Sequence, residues 1–189
     1  MLVGVLALQG AFREHEVILK RCGVDTVQVR LPHHLDKIDG LVIPGGESTT
    51  MGKLLNEYQL FQPIKEKAGR GMPIFGTCAG LIMLAKDIAV SNQPRLGLMD
   101  IVVERNAFGR QLESFEADIK ILELGLEKFK AIFIRAPYIV SVGKDVKVLA
   151  NYEEKIVCAS QGRFLAAAFH PELTEDTRLH RYFLENMYI

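Results

Sequence analysis

The stretch Pro73-Ile74-Phe75-Gly76-Thr77-Cys78-Ala79-Gly80-Leu81 limits the possible fold more than any other part of the sequence. A short apolar segment runs into Gly-x-Cys-x-Gly and then directly into helix-forming residues, which is the pattern of a nucleophile elbow carrying a thiol instead of the usual serine. The residue at such a strand-to-helix turn is held in a strained conformation, and side chains at Gly76 and Gly80 would crowd it. Cys78 therefore stands clear. Its sulfur sits at a helix N-terminus, where unpaired N–H groups and the dipole favour the thiolate. The N–H of Ala79 then supplies one donor of an oxyanion hole. A lone cysteine after a strand is otherwise a small core residue. The paired glycines and the strand-to-helix context favour the nucleophile.

An elbow needs a parallel sheet around it, and the rest of the chain supplies one. Leu2 to Leu8 is a continuous apolar run of strand length, as expected for a strand covered on both faces. A helix from Ala11 to Cys22, a strand from Thr26 to Leu31, a turn at Pro32 to Asp36 and a buried strand at Gly40 to Ile43 follow. Helices are expected from about Ser48 to Tyr58, capped by one of the hydroxyls of Ser48, Thr49 and Thr50, and from Leu60 to Ala68. The elbow helix extends to about Lys86. Further strands are read at Asp100 to Arg105, Phe115 to Ile121, Ala131 to Arg135, Val146 to Asn151 and Lys155 to Ser160, the last turning at Gln161-Gly162 into Phe164 to Phe169. Thr174 caps a final helix, with Glu175 and Asp176 in its first turn. The pattern is an α/β fold whose ligand site lies at the carboxyl ends of the strands.

Two more segments meet the thiol at that edge. In His170-Pro171-Glu172 an extended backbone would turn His170 and Glu172 to the same side, giving a base and a carboxylate that orients it. Pro44-Gly45-Gly46-Glu47-Ser48 joins a strand to a helix. There the N–H of Gly46 is a candidate second oxyanion donor, and Glu47 and Ser48 can bind the ammonium end of a substrate. The alternative for this loop is a turn with a helix cap; a phosphate loop would need a Gly-Lys-Ser/Thr ending that is missing. Arg105 and Arg135, each at a strand end, are candidate anchors for a carboxylate. His33-His34 has no further ligand spaced to form a metal site. His15, between Glu14 and Glu16, reads as part of a solvated helix face, and so does His180.

Composition agrees with a small zwitterionic ligand. With 23 basic and 23 acidic residues among 189 the formal net charge is zero, so nothing draws the chain to nucleic acid or an anionic membrane. The apolar start has no basic n-region and no run approaches a membrane span, so a cytosolic protein is expected. Cys22, Cys78 and Cys158 have neither disulfide nor zinc spacing; Cys22 and Cys158 read as core residues.

Together, Gly76-Thr77-Cys78-Ala79-Gly80, Pro44-Gly45-Gly46-Glu47-Ser48-Thr49 and His170-Pro171-Glu172 resemble class I glutamine amidotransferases with a Cys-His-Glu triad. Leu8-Gln9-Gly10-Ala11 with Glu14-His15, Arg105-Asn106-x-Phe108-Gly109-Arg110-Gln111 and Arg135-Ala136-Pro137 narrow the resemblance to the glutaminase subunits of pyridoxal 5′-phosphate synthase, the PdxT family. The likeness runs from Met1 to the terminal helix. It implies one glutaminase domain over residues 1–189, with a three-layer, flavodoxin-like fold and a mixed, mainly parallel sheet carrying an antiparallel extension. It also implies hydrolysis of L-glutamine to L-glutamate and ammonia through a thioester on Cys78, with His170 and Glu172 completing the triad. Gly46, Glu47, Ser48, Arg105, Ile134 and Arg135 would contact glutamine, some through the backbone. No metal or organic cofactor is expected. The ammonia would pass to a separate synthase subunit, PdxS, whose docking completes the oxyanion hole and faces the Gln9-Gly10 turn. The chain length leaves no room for an ammonia-accepting domain, which agrees with a separate partner. Two rivals are a PfpI-like thiol hydrolase, which does not ordinarily carry His-Pro-Glu after the last strand, and an idle docking subunit, against which the intact triad argues.

Overall fold

A computed structural model describes residues 1–105 and 114–188. Asn106, Phe108, Gly109, Arg110 and Gln111 of the arginine motif lie outside the described residues. In chain order the strands are β1 (Leu2–Leu6), β2 (Asp25–Val29), β3 (Gly40–Ile43), β4 (Ile74–Thr77), β5 (Ala85–Ile88) and β6 (Met99–Glu104). They continue as β7 (Ser114–Ile119), β8 (Phe129–Ile134), β9 (Tyr138–Val142), β10 (Lys147–Tyr152), β11 (Lys155–Gln161) and β12 (Phe164–Ala167). The α-helices are α1 (Phe12–Arg21), α2 (Ser48–Glu57), α3 (Phe61–Gly69), α4 (Ala79–Leu84) and α5 (Arg178–Glu185).

The parallel part of the sheet runs β2-β1-β3-β4-β12, and β11, β9, β6 and β5 extend it with antiparallel pairing at β12/β11, β11/β9 and β9/β6. β7 and β8 form a separate two-stranded sheet. Alternation along β4 assigns the layers. Phe75 packs on His15 of α1 and on His180 and Phe183 of α5, whereas a side chain at Gly76 would strike Gly80 and Leu84 of α4. Since neighbouring strand residues face opposite ways, α1 and α5 cover one face and α4, packed on α2, covers the other.

Several elements differ from expectation. The elbow helix stops after six residues at Leu84, and Ala85–Ile88 becomes β5, paired in parallel with β6. Helix propensity is overruled there because all six helix residues are buried and the chain must leave the core to find a sheet edge. The β-branched run Tyr138–Val142, absent from the expected strands, is β9. Helix α2 is capped by Glu47, whose carboxylate accepts from the N–H groups of Thr49 and Thr50 at 3.0 and 2.6 Å; none of the three hydroxyl residues is the cap. Helix α5 begins at Arg178 and not after Thr174. Thr174 Oγ1 instead accepts from Asp176 N–H (3.3 Å), and Asp176 accepts from the N–H of Arg178 (3.0 Å). The Arg178 guanidinium is tied down by the carbonyls of Glu127 and Lys128, which sets where the helix can start.

Candidate active site

Register brings the site together before any side chain is considered. Ile43 lies opposite Gly76, and Ala167 lies opposite Thr77, so β3, β4 and β12 end side by side. The glycine loop, the elbow and the His170 segment therefore emerge at one edge. Phe169 is fully buried between Phe129 and Phe133, at 5.7 Å from each ring, and the N–H of His170 donates to the Ile132 carbonyl (2.8 Å). Together these contacts lock the approach to His170.

Cys78 occupies the N-cap of α4 with φ 49° and ψ −102°. For a residue with a side chain such a conformation costs on the order of 1–3 kcal/mol. Backbone contacts impose it: Cys78 N–H donates to Ala167 O at 2.8 Å, and a Cβ at Gly80 would collide with the Ile43 carbonyl. The two glycines therefore act as expected. Cys78, His170, Gly46, Glu47, Ser48, Ile82, Arg105, Ile134 and Arg135 line a cleft of about 200 Å³. Cys78 Sγ lies 3.9 Å from the Ile134 carbonyl.

His170 Nδ1 donates to Glu172 Oε1 at 2.7 Å. The expected extended backbone is not the means, because Pro171–Leu173 forms a 3-10 turn. Burial alone would lower the pKa of His170, but hydrogen bonding to Cys78 and Glu172, together with their charge, raises it to about 10. Burial opposes ionisation of Glu172 as well, and His15 and His170 outweigh it, so the carboxyl is held below its usual range.

The cleft carries both signs of charge. Glu47 is taken down to about 2, burial being outweighed by hydrogen bonds from Thr49 and Thr50. Arg105 reaches Glu47 at 3.4 Å and donates to Gln93 Oε1 at 2.7 Å and Thr49 Oγ1 at 3.3 Å. Arg135 is exposed at the rim with φ 42°. The Ser48 hydroxyl donates to Gln93 Oε1 at 3.3 Å. Gln93, in an irregular segment, organises this wall; no spacing in the sequence points to it. Gln9 clips the glycine loop from outside: its Nε2 donates to Glu47 O (3.2 Å), and Glu47 N–H donates to Gln9 Oε1 (3.3 Å). Gly10, with φ 92°, sits so close that a Cβ would overlap the Gly45 carbonyl.

His15 and His180 are not on solvated faces. Both have no exposed surface, and they form a buried chain behind His170 and Glu172. His180 Nε2 lies 3.0 Å from His15 Nδ1, and His15 Nε2 lies 3.0 Å from Thr77 Oγ1 and 3.4 Å from Glu172 Oε2. Burial pushes both imidazoles below their ordinary pKa, for His15 against the pull of Glu172. The three site imidazoles therefore act in opposite directions on stability. His170, raised, stabilises fully below pH 6.5 and loses that contribution as pH rises towards about 10. Below pH 6.5 the unfolded chain protonates the residues corresponding to His15 and His180 more readily than the fold does, because burial disfavours their charged form. Stability measured by denaturant unfolding should therefore peak near pH 6.5 and fall towards about pH 5, by at most about 3 kcal/mol per pH unit. A profile that does not fall as pH drops over that interval would mean that both His15 and His180 take up protons in the fold as readily as in the unfolded chain.

With this geometry in view, the sequence matches the family described as SNO glutamine amidotransferase over residues 5–189. It is 68% identical over 185 residues to the pyridoxal 5′-phosphate synthase subunit PdxT of Desulforamulus reducens, covering 98% of each chain. It is 67% identical to the protein of the same description from Pelotomaculum thermopropionicum, covering 98% of this chain and 94% of that one. A crystal structure described as a glutamine amidotransferase superposes with a TM-score of 0.94 at 52% identity, covering 99% of each chain.

Proposed function

Because the chain belongs to the SNO glutamine amidotransferase family, we propose that it is the glutaminase subunit of a pyridoxal 5′-phosphate synthase, hydrolysing L-glutamine and passing the ammonia to a synthase subunit of the PdxS kind. Residues 1–189 act as one glutaminase domain. The observation that carries the reading is the convergence of Cys78, His170 and Glu172 beneath a cleft lined by Glu47, Arg105 and Arg135. That lining suits an amino acid, which presents an ammonium and a carboxylate together. Arg105 and Arg135 take the carboxylate. Glu47, Ser48 and the Ile134 carbonyl take the ammonium end.

The chemistry follows from the proton on His170. The Cys78 thiolate attacks the side-chain amide carbon, a C–S bond forms, and the carbonyl oxygen receives the electron pair, facing the N–H groups of Ala79 and Gly46. Collapse breaks the C–N bond. His170 delivers its Nε2 proton to the departing nitrogen, because an amide anion is a poor leaving group, and ammonia leaves. His170, now neutral, takes a proton from water as the water attacks the thioester. Glutamate and the thiolate are released, and His170 is again protonated. Glu172 stays ionised throughout.

The Gln9-Gly10 turn abuts the loop bearing Gly46 and can transmit docking of the partner to the oxyanion hole. Among the described residues no helix is long and apolar enough to cross a membrane. Glutamate release from L-glutamine, measured for the chain alone and with a pyridoxal 5′-phosphate synthase subunit, tests the reading. Release stimulated by that subunit is the expected result, and none under either condition would refute it.

A further inference from the structure

The polarity of the buried chain behind the triad is set by its surroundings. A neutral imidazole carries one N–H and one bare nitrogen. Suppose the proton of His15 were on Nδ1, donating to His180 Nε2. His180 would then carry its own proton on Nδ1, a buried atom without a hydrogen-bond partner, and the bare Nε2 of His15 would face Glu172 Oε2. An orphaned donor and two opposed lone pairs both raise the energy. In the other arrangement His180 Nε2–H donates to His15 Nδ1, and His15 Nε2–H lies between Thr77 Oγ1 at 3.0 Å and Glu172 Oε2 at 3.4 Å. The two rings then leave no donor unpaired, and on the rings only the lone pair of His180 Nδ1 lacks a partner.

We propose that His15, kept in this tautomer by His180, is a positioning residue for the triad: its Nε2–H stabilises the oxygen of Glu172 that His170 does not use. The proposal rests on the glutaminase reading above. Glu172 Oε2 is fully buried and makes no aligned hydrogen bond, and His15 Nε2 approaches it to 3.4 Å. The interaction is one of charge with dipole, strengthened by the dry surroundings. It holds the carboxylate ionised and its plane fixed while His170 gives and takes its proton. Thr77, the residue before Cys78, shares the same N–H, so the support reaches the elbow as well.

Glutamate release by the full chain with the synthase subunit present tests this. His15→Met, similar in bulk but without a donor, should lower kcat about ten- to a hundredfold. KM for glutamine should not change, because His15 does not line the cleft. His15→Gln, whose amide can place an N–H near the Nε2 position, should recover most of kcat. The acidic limb of kcat/KM should move to higher pH in His15→Met and return in His15→Gln, as Glu172 gains a proton more easily without its donor. The charged or titratable groups facing His15 are Glu14 on its own helix, His170 and Glu172 on the segment after β12, and His180 on α5. If His15→Met does not fold, His180→Met and His180→Gln repeat the comparison one step further out, with a smaller loss and the same rescue. Unchanged kcat and pH profile in the variants overturn the proposal. Equal losses in the Met and Gln variants also overturn it, since they mark His15 as packing. A parent chain that releases no glutamate overturns the glutaminase reading and this proposal together.

Discussion

Cys78→Ala should abolish glutamate release, a loss of about a millionfold in kcat, since removing the nucleophile of a triad leaves only the binding and oxyanion contributions. Among the residues that line the cleft, Cys78 alone offers sulfur to a bound amide, and none of the others is placed as a substitute nucleophile at the elbow. The fold should survive. Alanine keeps the Cβ, the backbone at φ 49° is held by the Ala167 carbonyl and the neighbouring glycines, and the sulfur contributes little packing at 6% exposure. Binding of glutamine should survive too, because Glu47, Arg105 and Arg135 are untouched. An unchanged circular dichroism spectrum with no release is the expected pair of results. Turnover by this variant would sink the thioester mechanism, whatever the fate of the family assignment.

The parts of the site that could be read from sequence are those with a local steric cause. Gly76 and Gly80 are required because a strand turns into a helix over one residue, and this requirement is visible in five consecutive letters. His170-Pro171-Glu172 is similar: the proline and the spacing of two keep base and carboxylate together even though the backbone is a 3-10 turn and not extended. Gln93 was hidden because its role arises where the irregular segment before β6 meets Arg105 at the far end of that strand, which no short-range pattern records. The cap of α2 was obscured by three consecutive hydroxyl residues beside the carboxylate that does the capping. His15 and His180 were misplaced by their charged neighbours, yet a signal was present. His15 with Ile18 and Leu19, and His180 with Phe183 and Leu184, each begin an i, i+3, i+4 stripe, and all six residues are buried. A histidine in the leading position of such a stripe belongs to the core side of its helix. Once both stripes face Phe75 of β4, the two rings have to meet beneath the elbow.

Glu172→Ala should lower kcat by about ten-thousandfold with little effect on KM. The carboxylate is buried beneath His170 and does not line the cleft, so its removal leaves the substrate contacts in place. What is lost is the 2.7 Å hydrogen bond that holds the Nδ1 proton and aims Nε2 at the sulfur and the departing nitrogen. The carboxylate also helps hold the pKa of His170 near 10, so without it the imidazolium paired with the thiolate is less populated at neutral pH. Glu172→Gln separates orientation from charge. Its amide has the right size, but it carries no charge, and its NH₂ group facing Nδ1 would keep that nitrogen bare, so the ring could not hold the second proton that the imidazolium–thiolate pair requires. A loss close to that of the alanine variant is therefore expected. If Glu172→Gln kept most of the parent kcat, the carboxylate would be acting only as a spacer, and the electrostatic account of the His170 proton would fail. If the alanine variant raised KM and left kcat alone, Glu172 would belong to the binding wall and not to the chemistry.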